Sequence, residues 1–458
     1  MHKTHRLMLG VAVSAIALTS GGQAFAQDTG SQGLNEIVVT AQKRETKLEK
    51  TPMTINVISG DEIASSGIVE IKSLAATVPG FTMNESPGGL SGVALRGVGT
   101  SAGSQVFEQS VGLFVDGIYH PRARQYRDAL FDVERVEVVK GSQGVLFGKN
   151  TSVGAVSVIS RGAGSKTGGY LQGTVEANYG SYGFEGGVDV VASDTFKARI
   201  AGMFDHQNGF VQNVTLNRKE ANGDRYVVRG VFDFTPTEAL SLRAKVQFSK
   251  LDQVGNNFEF IANQNVTALQ GLGVVDGGLN DYVKYESAGS FGDALDWQKG
   301  QDHSLEIKYD LGNDFTLTAV SGYTKFDFNN GFDSDSTPGT QLFSHFNEKF
   351  DQFTQEVRLT SPGGQPLEYI VGGYYLHSTV HYNYLSYYNN FPVAGGLYGT
   401  TSQRFNQTEN TFAGFGQATW HMADNLQLNV GGRLTSDKKD ADYQKFLLSD
   451  GDRKSTRL

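Results

Sequence analysis

The sequence predicts an exported protein in which an α+β domain precedes a transmembrane antiparallel β-barrel. Three observations support this prediction: a leader-like N-terminus, a middle segment that mixes helical and strand patterns, and a long remainder in which apolar and polar side chains alternate. The composition agrees, because 57 glycines, 29 phenylalanines and 19 tyrosines accompany only 9 prolines, which favours many strands and tight turns.

Residues 1–26 have the pattern of a signal peptide. Two basic residues precede an almost wholly apolar run at residues 7–19, and Ala24-Phe25-Ala26 then supplies the small residues that a signal peptidase requires. The alternatives are a short buried helix and a membrane anchor, but the apolar run is shorter than the roughly 18 residues that a helical span requires. We therefore expect cleavage before Gln27.

The charge and the rare side chains exclude several classes of protein. The formal charge is -9 without a long basic run, so the sequence carries no electrostatic footprint for nucleic acid. There is no cysteine, the nine histidines show no metal-ligand spacing, and no Gly-x-Ser-x-Gly elbow is present. Gly148-Lys149 is similar to the end of a phosphate-binding loop, but Gln143 and Asn150 stand where that loop needs a glycine and a hydroxyl residue. The sequence thus predicts no catalytic residue, no metal site and no cofactor.

A flexible tether with a short β-prone hexamer is predicted at residues 27–50. The hexamer has the sequence Glu36-Ile37-Val38-Val39-Thr40-Ala41 and follows small polar residues. A β-prone peptide on a flexible tether is suited to adding a strand to the edge of a partner's sheet, where main-chain hydrogen bonds supply the affinity. An ordinary first strand of the following domain would have the same pattern, so the residues alone leave both interpretations open.

Residues 51–165 predict a compact α+β domain. A strand at 54–58 is followed by Ser59 and Glu62, whose spacing is that of a capping box before a helix at 61–65. A second helix is predicted at 69–77, where Pro79-Gly80 ends it. Further strands are predicted at 93–96, 111–115, 133–139 and 156–160.

The order of these segments and several of their sequence motifs resemble the start of a TonB-dependent outer-membrane receptor. Three sequence motifs resemble the plug signatures of that family: Leu95-Arg96-Gly97-Val98-Gly99-Thr100, Phe114-Val115-Asp116-Gly117-Ile118-Tyr119 and Val133-Glu134-Arg135-Val136-Glu137-Val138-Val139-Lys140-Gly141. The resemblance implies that residues 51–165 form a plug inside the barrel. It also implies that the hexamer is the TonB box, which binds the periplasmic protein TonB and its inner-membrane energising complex.

The same resemblance implies charged contacts that lock the plug to the barrel. On the plug side it assigns Arg96, Glu134, Arg135 and Lys140. In the family, cations at the positions of Arg96 and Lys140 face carboxylates on the barrel wall. A lysine at 140, in place of the arginine of some members, lacks bidentate geometry.

Two groups of residues are candidate ligand contacts. The first group comprises Arg122, Arg124 and Arg127. They follow a Tyr-His-Pro turn and are expected at the outer apex of the plug, where an anionic ligand would meet them; solvated loop charge is the alternative. The second group comprises Tyr382, Tyr384, Tyr387 and Tyr388. These belong to a predicted external loop at 378–410, where they would stack on a ligand or pack on one another.

From residue 166 onward the pattern predicts about eleven strands of a transmembrane barrel. On the first of them, Leu171, Gly173 and Val175 alternate with polar neighbours, as expected for a strand that faces lipid on one side. The predicted strands lie at 171–179, 182–192, 196–206, 225–235, 239–251, 303–311, 315–326, 352–360, 367–377, 411–421 and 426–435. Long connections near 207–224, 252–302, 327–351 and 378–410 alternate with short ones. This asymmetry is typical of external loops and periplasmic turns.

The resemblance implies a barrel of roughly twenty-two strands, so residues 166–451 are expected to form its first half. An open half-barrel leaves strand edges unpaired, which lipid cannot satisfy. We therefore expect the chain to be the N-terminal portion of a longer receptor, and residues 452–458 to be a non-native tail.

The function that the resemblance implies is energy-coupled import of a scarce nutrient, with a ferric siderophore as the first candidate. A carbohydrate or another organic nutrient is the alternative substrate, and a passive porin or an adhesin is the alternative of another class. Expected partners are TonB with its energising complex, outer-membrane lipid, the outer-membrane insertion machinery and the small-molecule ligand. The protein is expected to be a monomer in the outer membrane of a Gram-negative bacterium, and not an enzyme.

Overall fold

The computed structural model describes residues 38–40, 43–44, 46–51, 53–86, 90–102, 108–256, 283–284, 295–339, 341–391, 397–423 and 425–448. The predicted signal peptide, residues Glu36, Ile37 and Ala41 of the hexamer, and the predicted tail at 452–458 lie outside these ranges. From Val38 onward the chain forms one compact unit.

The plug consists of short strands joined by short helices. In chain order the strands are β1 (Val38–Val39), β2 (Thr46–Lys47), β3 (Thr54–Ser59), β4 (Phe81–Ser86), β5 (Leu90–Leu95), β6 (Val98–Gly99), β7 (Val111–Val115), β8 (Ile118–His120), β9 (Val133–Lys140) and β10 (Gly154–Ser160). The α-helix α1 spans Gly60–Ser65, and 3-10 helices span Leu48–Lys50, Ile71–Ala76 and Ala123–Arg127.

A mixed sheet of five strands, in the order β3-β9-β10-β7-β8, forms the centre of the plug. β10 runs antiparallel to β9 and parallel to β7. One face of this sheet packs on α1 and the 3-10 helix Ile71–Ala76 through a core that includes Ile63, Leu74 and Val136, all nearly or fully buried. The helix α1 begins as predicted, since the Ser59 hydroxyl accepts the backbone N–H of Glu62 at 3.2 Å.

The second predicted helix, at 69–77, is a 3-10 helix that begins only at Ile71. Val69 and Glu70 are drawn into extended backbone instead. Glu70 forms a β-bridge with Ala129, and the Val69 carbonyl accepts the backbone N–H of Leu130 at 2.9 Å. The pairing with a segment some sixty residues away therefore overrides the local helical pattern.

A single antiparallel sheet of eleven strands, called the wall below, follows the plug. In sheet order its strands are β11 (Gly168–Val175), β12 (Tyr182–Val191), β13 (Phe196–Gln207), β16 (Asn222–Thr237), β17 (Leu240–Val254), β19 (Leu295–Asp310), β20 (Thr316–Asp333), β21 (Leu342–Thr360), β22 (Leu367–Phe391), β23 (Leu397–Ala423) and β24 (Leu426–Leu448). A separate small sheet contains β14 (Val211–Asn213), β15 (Arg218–Glu220) and β18 (Val283–Lys284). Each wall strand overlaps in residue range with one of the predicted strands. The expected total of twenty-two strands stays a prediction.

The later wall strands are much longer than predicted. β22 has 25 residues and β23 has 27, so the predicted external loop at 378–410 is mostly a hairpin of these two strands. Likewise, the predicted loop at 327–351 shrinks to residues 334–341 between β20 and β21. Aromatic side chains keep the period of two in these extensions and pack across neighbouring strands, which keeps the strands regular.

The two ends of the wall differ in their connections. At one end, called the short-turn end, the strands are joined by residues 192–195, 238–239, 311–315, 361–366 and 424–425. At the other end, called the long-loop end, the longest connections are 208–221 and 255–294. Among the described helices, none is long and apolar enough to cross a membrane.

One face of the wall encloses the plug and the other exposes apolar side chains. Gly322 on β20 lies directly against Ile118 of the plug, where an added Cβ would come within 2.5 Å of that side chain. On the opposite face Leu171 and Leu434 are 83% and 85% exposed. The face toward the plug is called the lumen face below.

Candidate functional site

The second half of the predicted TonB box is held on the plug. β1 pairs antiparallel with β2, and the Val39 side chain is fully buried. Thr40 donates its backbone N–H to both carboxylate oxygens of Glu137, at 3.0 and 3.3 Å. The segment is therefore folded rather than a flexible tether at these residues, because Val39 buries apolar surface and Thr40 gains charge-assisted hydrogen bonds.

Two cations that follow the hexamer connect the same segment to the wall. Lys43 forms an ion pair with Glu356 on β21. Arg44 donates to the Glu368 carboxylate at 2.8 Å and to the Ser361 carbonyl at 2.9 Å. Burial lowers the pKa of Lys43, although the Glu356 carboxylate acts in the opposite direction. Since Ser361 and Glu368 flank a short turn, the box segment lies at the short-turn end.

The residues predicted as the plug side of the lock are Arg96, Glu134, Arg135 and Lys140, and the structure pairs them differently. Arg135 donates to Glu137 at 2.8 Å and contacts Glu134, and all three belong to β9. Lys140 donates to the Pro79 carbonyl at 2.8 Å, and Arg96 is exposed in a left-handed conformation with φ 53°. These contacts lie within the plug, because the side chains point along its own sheet and turn rather than to the wall.

Arg122 and Arg124, predicted as ligand contacts, instead join the plug to the wall. Both guanidinium groups donate to the carboxylate of Glu348 on β21, Arg122 at 2.8 Å and Arg124 at 2.6 Å. Arg124 and Glu348 are fully buried, and the Arg124 guanidinium lies 3.5 Å from the centre of the Phe328 ring. Such a buried group is stabilised by its partners and is closed to direct contact with a ligand in this state.

Arg127 makes a second contact of the same kind. Its two terminal nitrogens donate to the two carboxylate oxygens of Asp296 on β19, at 3.0 and 2.7 Å. The planar guanidinium fits the carboxylate in a bidentate pair. Arg122, Arg124 and Arg127 thus make plug-to-wall contacts of the kind that the sequence predicted for other residues.

A third group of contacts surrounds His120 at the end of β8. The His120 ring lies 3.0 Å from the Asp302 carboxylate, and Lys245 donates to Asp116 at 2.6 Å. Burial by itself would lower the pKa of His120, but the Asp302 carboxylate outweighs it and raises that pKa. Burial also raises the pKa of the neighbouring Asp128 to about 6.

The loop after β9 is attached to the last wall strands. Lys149 contacts Glu108 of the plug at 3.3 Å and forms an ion pair with Glu409 on β23. Lys439 on β24 donates to the same Glu108 at 2.6 Å. Burial opposes ionisation of Glu108, but these two cations outweigh it and lower its pKa to about 2.

Above the arginine contacts, toward the long-loop end, lies an aromatic cluster. It consists of Phe326, Phe328, Phe332, Phe346, Phe350, Val380, Tyr382 and Phe405, with Tyr384 packed against it. The Phe346 ring stacks on Tyr384 at 4.5 Å between centres and on Phe332 at 5.7 Å. The cluster lies on the lumen face, since Phe328 contacts the plug residue Arg124.

The four tyrosines predicted in a loop are Tyr382, Tyr384, Tyr387 and Tyr388, and all lie on strand β22. Tyr382 is 7% exposed and Tyr384 is half-buried in the aromatic cluster. Tyr387 and Tyr388 are half-buried nearer the end of the strand, and consecutive residues of a strand point to opposite faces. The patch is thus part of the wall, and Tyr382 and Tyr384 pack against Phe346.

At the short-turn end the plug and the wall leave a cavity of about 510 Å³, called the inner cavity below. The plug residues Asp116 and Ser157 and the wall residues Lys245, Thr318 and Arg358 are among those that line it. The box segment borders it too, through Thr40, Lys43 and Arg44. In the parts of the chain that the structure covers, no group of three or more histidine, aspartate or glutamate side chains is arranged to hold a metal ion.

The wall carboxylates were missed by the sequence reasoning. The plug cations pair with Asp296, Asp302, Glu348, Glu356 and Glu409. All of them occupy lumen-face positions in strands with a period of two, so a charged residue on the polar face of a predicted strand was the available signal.

Comparison with known protein families gives two matches. Residues 47–155 match the TonB-dependent Receptor Plug Domain, and residues 247–457 match the TonB dependent receptor-like β-barrel. Together the two matches cover more than half of the 458 residues.

Individual relatives are also receptors. The Pesticin receptor of Yersinia pestis is 24% identical over 426 residues, which are 92% of this chain and 58% of the relative. The Probable TonB-dependent siderophore receptor PiuA of Acinetobacter baumannii is 26% identical over 68% of this chain and 40% of its own length. The chain therefore spans 58% and 40% of the lengths of these two relatives.

Solved structures share the fold. The ferric yersiniabactin uptake receptor FyuA from Yersinia pestis superposes with a TM-score of 0.72 at 20% identity, over 86% of this chain and 58% of that one. The ferripyoverdine receptor of Pseudomonas aeruginosa superposes with a TM-score of 0.68 at 16% identity, over 90% and 55% of the two chains.

Proposed function

We propose, since this chain belongs to the TonB-dependent receptors of the Gram-negative outer membrane, that it serves the energy-coupled import of a ferric siderophore. One observation carries the proposal: a single plug contacts an aromatic cluster toward one end of the lumen and holds the box segment at the other. Periplasmic turns are short and external loops are long in this class of barrel. The box segment is thus on the periplasmic side, where TonB is available.

The aromatic cluster supports a ligand with flat rings and hydrogen-bonding groups. Tyr384 is half-buried on the lumen face with its ring stacked on Phe346, and the Ser344 and Tyr384 hydroxyl groups lie 3.2 Å apart. Aromatic faces gain free energy from stacking, and hydroxyl groups add hydrogen bonds that orient the ligand. Ferric siderophores combine such rings and oxygen donors around the metal. Several similar proteins are siderophore receptors by name, among them a probable TonB-dependent siderophore receptor and a ferric yersiniabactin uptake receptor, which agrees with this choice.

A continuous stretch of the plug connects the two ends. The 3-10 helix Ala123–Arg127 carries Arg124 against the cluster, and the chain then runs through Asp132 into β9. β9 contains Glu137, which accepts the backbone N–H of Thr40. A ligand that binds the box-released state better than the box-held state would shift the equilibrium toward release. Release would make the hexamer available for strand addition to TonB.

Deletion of residues 36–41 in the full-length receptor tests the coupling. We expect ⁵⁵Fe-siderophore binding at the cell surface to stay unchanged, whereas uptake falls to the level of cells without the receptor. A deletion of equal size in the tether, residues 28–33, is the matched control and should keep uptake. Unimpaired uptake after the first deletion would contradict energy coupling and favour a passive porin.

Carbohydrate import is the alternative substrate class, because sugar rings also stack on aromatic side chains. Expression and uptake distinguish the two. A siderophore receptor should be induced by iron starvation and should take up a ferric chelate. Induction by a carbon source, with no ferric uptake in iron-starved cells, would assign the carbohydrate.

A further inference from the structure

The inner cavity is lined by more cations than carboxylates. Seven of its lining side chains are lysine or arginine and four are aspartate or glutamate, which leaves a surplus of three positive charges within the lining. Carboxylates hold these cations around the space. Arg358 donates to Glu356 at 3.0 Å, and the Lys308 ammonium lies 3.0 Å from Glu306.

Arg358 has donor capacity that its neighbours do not use. Its side chain is 12% exposed, and among the residues that the structure describes its buried Nε has no hydrogen-bond partner. A buried donor without a partner is unfavourable, and a guanidinium presents a planar fork whose natural complement is a carboxylate. Arg358 also lines the inner cavity, so an acceptor placed there would meet its guanidinium group.

The size and the remaining lining suit a small polar ligand. The volume of about 510 Å³ falls within the range of small-molecule sites. Ser304, Thr318 and Thr360 add hydroxyl donors from three neighbouring wall strands. The aromatic cluster, in contrast, offers rings and few donors.

We infer that the inner cavity is a transit subsite that binds a carboxylate group of the cargo on its way to the periplasm, with Arg358 and Lys308 as its contacts. This inference rests on the proposed import function. It concerns a place in the lumen that is separate from the aromatic cluster, which lies toward the long-loop end.

The box segment gives the subsite a means of release. Lys43 and Arg44 contribute two of the seven cations of the lining. When TonB withdraws the segment, both charges leave the cavity at the moment its periplasmic side opens. Glu356 then keeps Arg358 as its partner. The affinity for an anion therefore falls during withdrawal, which favours discharge over return.

Citrate binding to the purified full-length receptor tests the subsite directly. We expect one citrate per receptor by isothermal titration calorimetry. The double variant K308Q/R358Q should bind at least about tenfold more weakly, the loss expected for one charge-assisted hydrogen bond. The variant K43Q/R44Q, which mimics withdrawal of the two charges, should also weaken binding.

K299Q is the matched control for charge. Lys299 lies on the same strand β19 as Lys308, but an odd number of residues away, and so points to the opposite face. Its ammonium lies over the Trp297 ring rather than in the cavity. Equal citrate binding by wild type, K308Q/R358Q and K299Q would overturn the inference, as would an absence of citrate binding to wild type.

Uptake separates failure of the subsite from failure of the proposed function. In cells, K308Q/R358Q should keep surface binding of a carboxylate-bearing ferric siderophore and lose most of its uptake, whereas K299Q keeps both. Normal uptake by K308Q/R358Q would count against the subsite alone. An absence of ferric uptake by wild type would refute the proposed function while leaving the citrate result to decide the subsite.

Discussion

The two ends of the lumen are closed by different kinds of contact. Toward the long-loop end, Arg122 and Arg124 meet one fully buried carboxylate, Glu348, under a layer of aromatic rings. At the short-turn end, Lys43 and Arg44 belong to a segment whose strand has two residues and whose ion pairs with the wall are partly exposed. In the proposed mechanism, the first arrangement keeps its geometry while TonB acts, and the second is the part that TonB withdraws. The difference indicates that ligand recognition requires rigid contacts between plug and wall, whereas release of the box segment requires contacts that can be broken.

Glu348→Gln should have the largest effect, because it leaves two buried arginines without their carboxylate. Breaking a buried ion pair from one side destabilises a protein by roughly 3–5 kcal/mol. We expect faster amide hydrogen exchange in residues 118–130. Glu306→Gln is the control, since that carboxylate is half-buried beside Lys308 and should change exchange little. Equal exchange in both variants would show that the outer contacts are no stronger than the inner ones.

Asp128→Asn should stabilise the plug in a manner that depends on pH. Burial raises the pKa of Asp128 to about 6 in the folded protein, so stability is lost as the pH rises from the ordinary value near 3.8 through 6. The asparagine variant avoids this loss, which amounts to about 3 kcal/mol above pH 7. Below pH 4 the two proteins should be equal.

Hydrogen exchange of the plug at pH 4 and 7.5 measures this difference. The Gln298 amide donates to Asp128 at 3.2 Å, and an asparagine oxygen keeps that contact. A gain of equal size at both pH values would exclude titration of Asp128 as the cause.

Glu137→Gln should weaken the contacts that hold the box segment on the plug. It replaces charge-assisted hydrogen bonds to Thr40 with neutral ones, and Gln can still accept the backbone N–H. The affinity of the isolated TonB C-terminal domain for the receptor without ligand should rise up to about tenfold. Glu134→Gln, on the same strand but exposed, is the control. No change in affinity would mean that Glu137 does not retain the box.

Tyr384→Leu should have the smallest effect, on ligand affinity alone. The variant removes one stacked ring and its hydroxyl from the aromatic cluster, which weakens binding by about three- to tenfold. Tyr443→Leu, on the last wall strand at 58% exposure, is the control. Equal ligand affinities for the two variants would place the ligand elsewhere in the lumen.

Local signals predicted the plug and the positions of the wall strands. Ser59 and Glu62 predicted the start of α1 because a cap depends on residues three apart. The extra length of β22 and β23 was missed, because their outer halves are stabilised by aromatic contacts across strands rather than by lipid. Pattern alone does not show which strand lies next to which.

The arginine contacts could not be assigned from the sequence for the same reason. Arg122 is 226 residues from Glu348, and Arg127 is 169 residues from Asp296. Their sequence context, a turn at an expected apex, indicated exposed charge and hence ligand contact. Burial depends on how the plug packs against the wall, so the amino-acid sequence alone does not distinguish exposed arginines from buried ones.

The buried side chain of Val39 also bears on how the receptor would recover after each cycle of the proposed import mechanism. Pulling the segment away brings a fully buried valine into water, which is unfavourable by roughly 1.5–3 kcal/mol. The receptor is higher in free energy by this amount while TonB holds the segment, and the difference is released when TonB dissociates. Reburial of the valine therefore favours return of the box segment to the plug, and this return needs no second input of work.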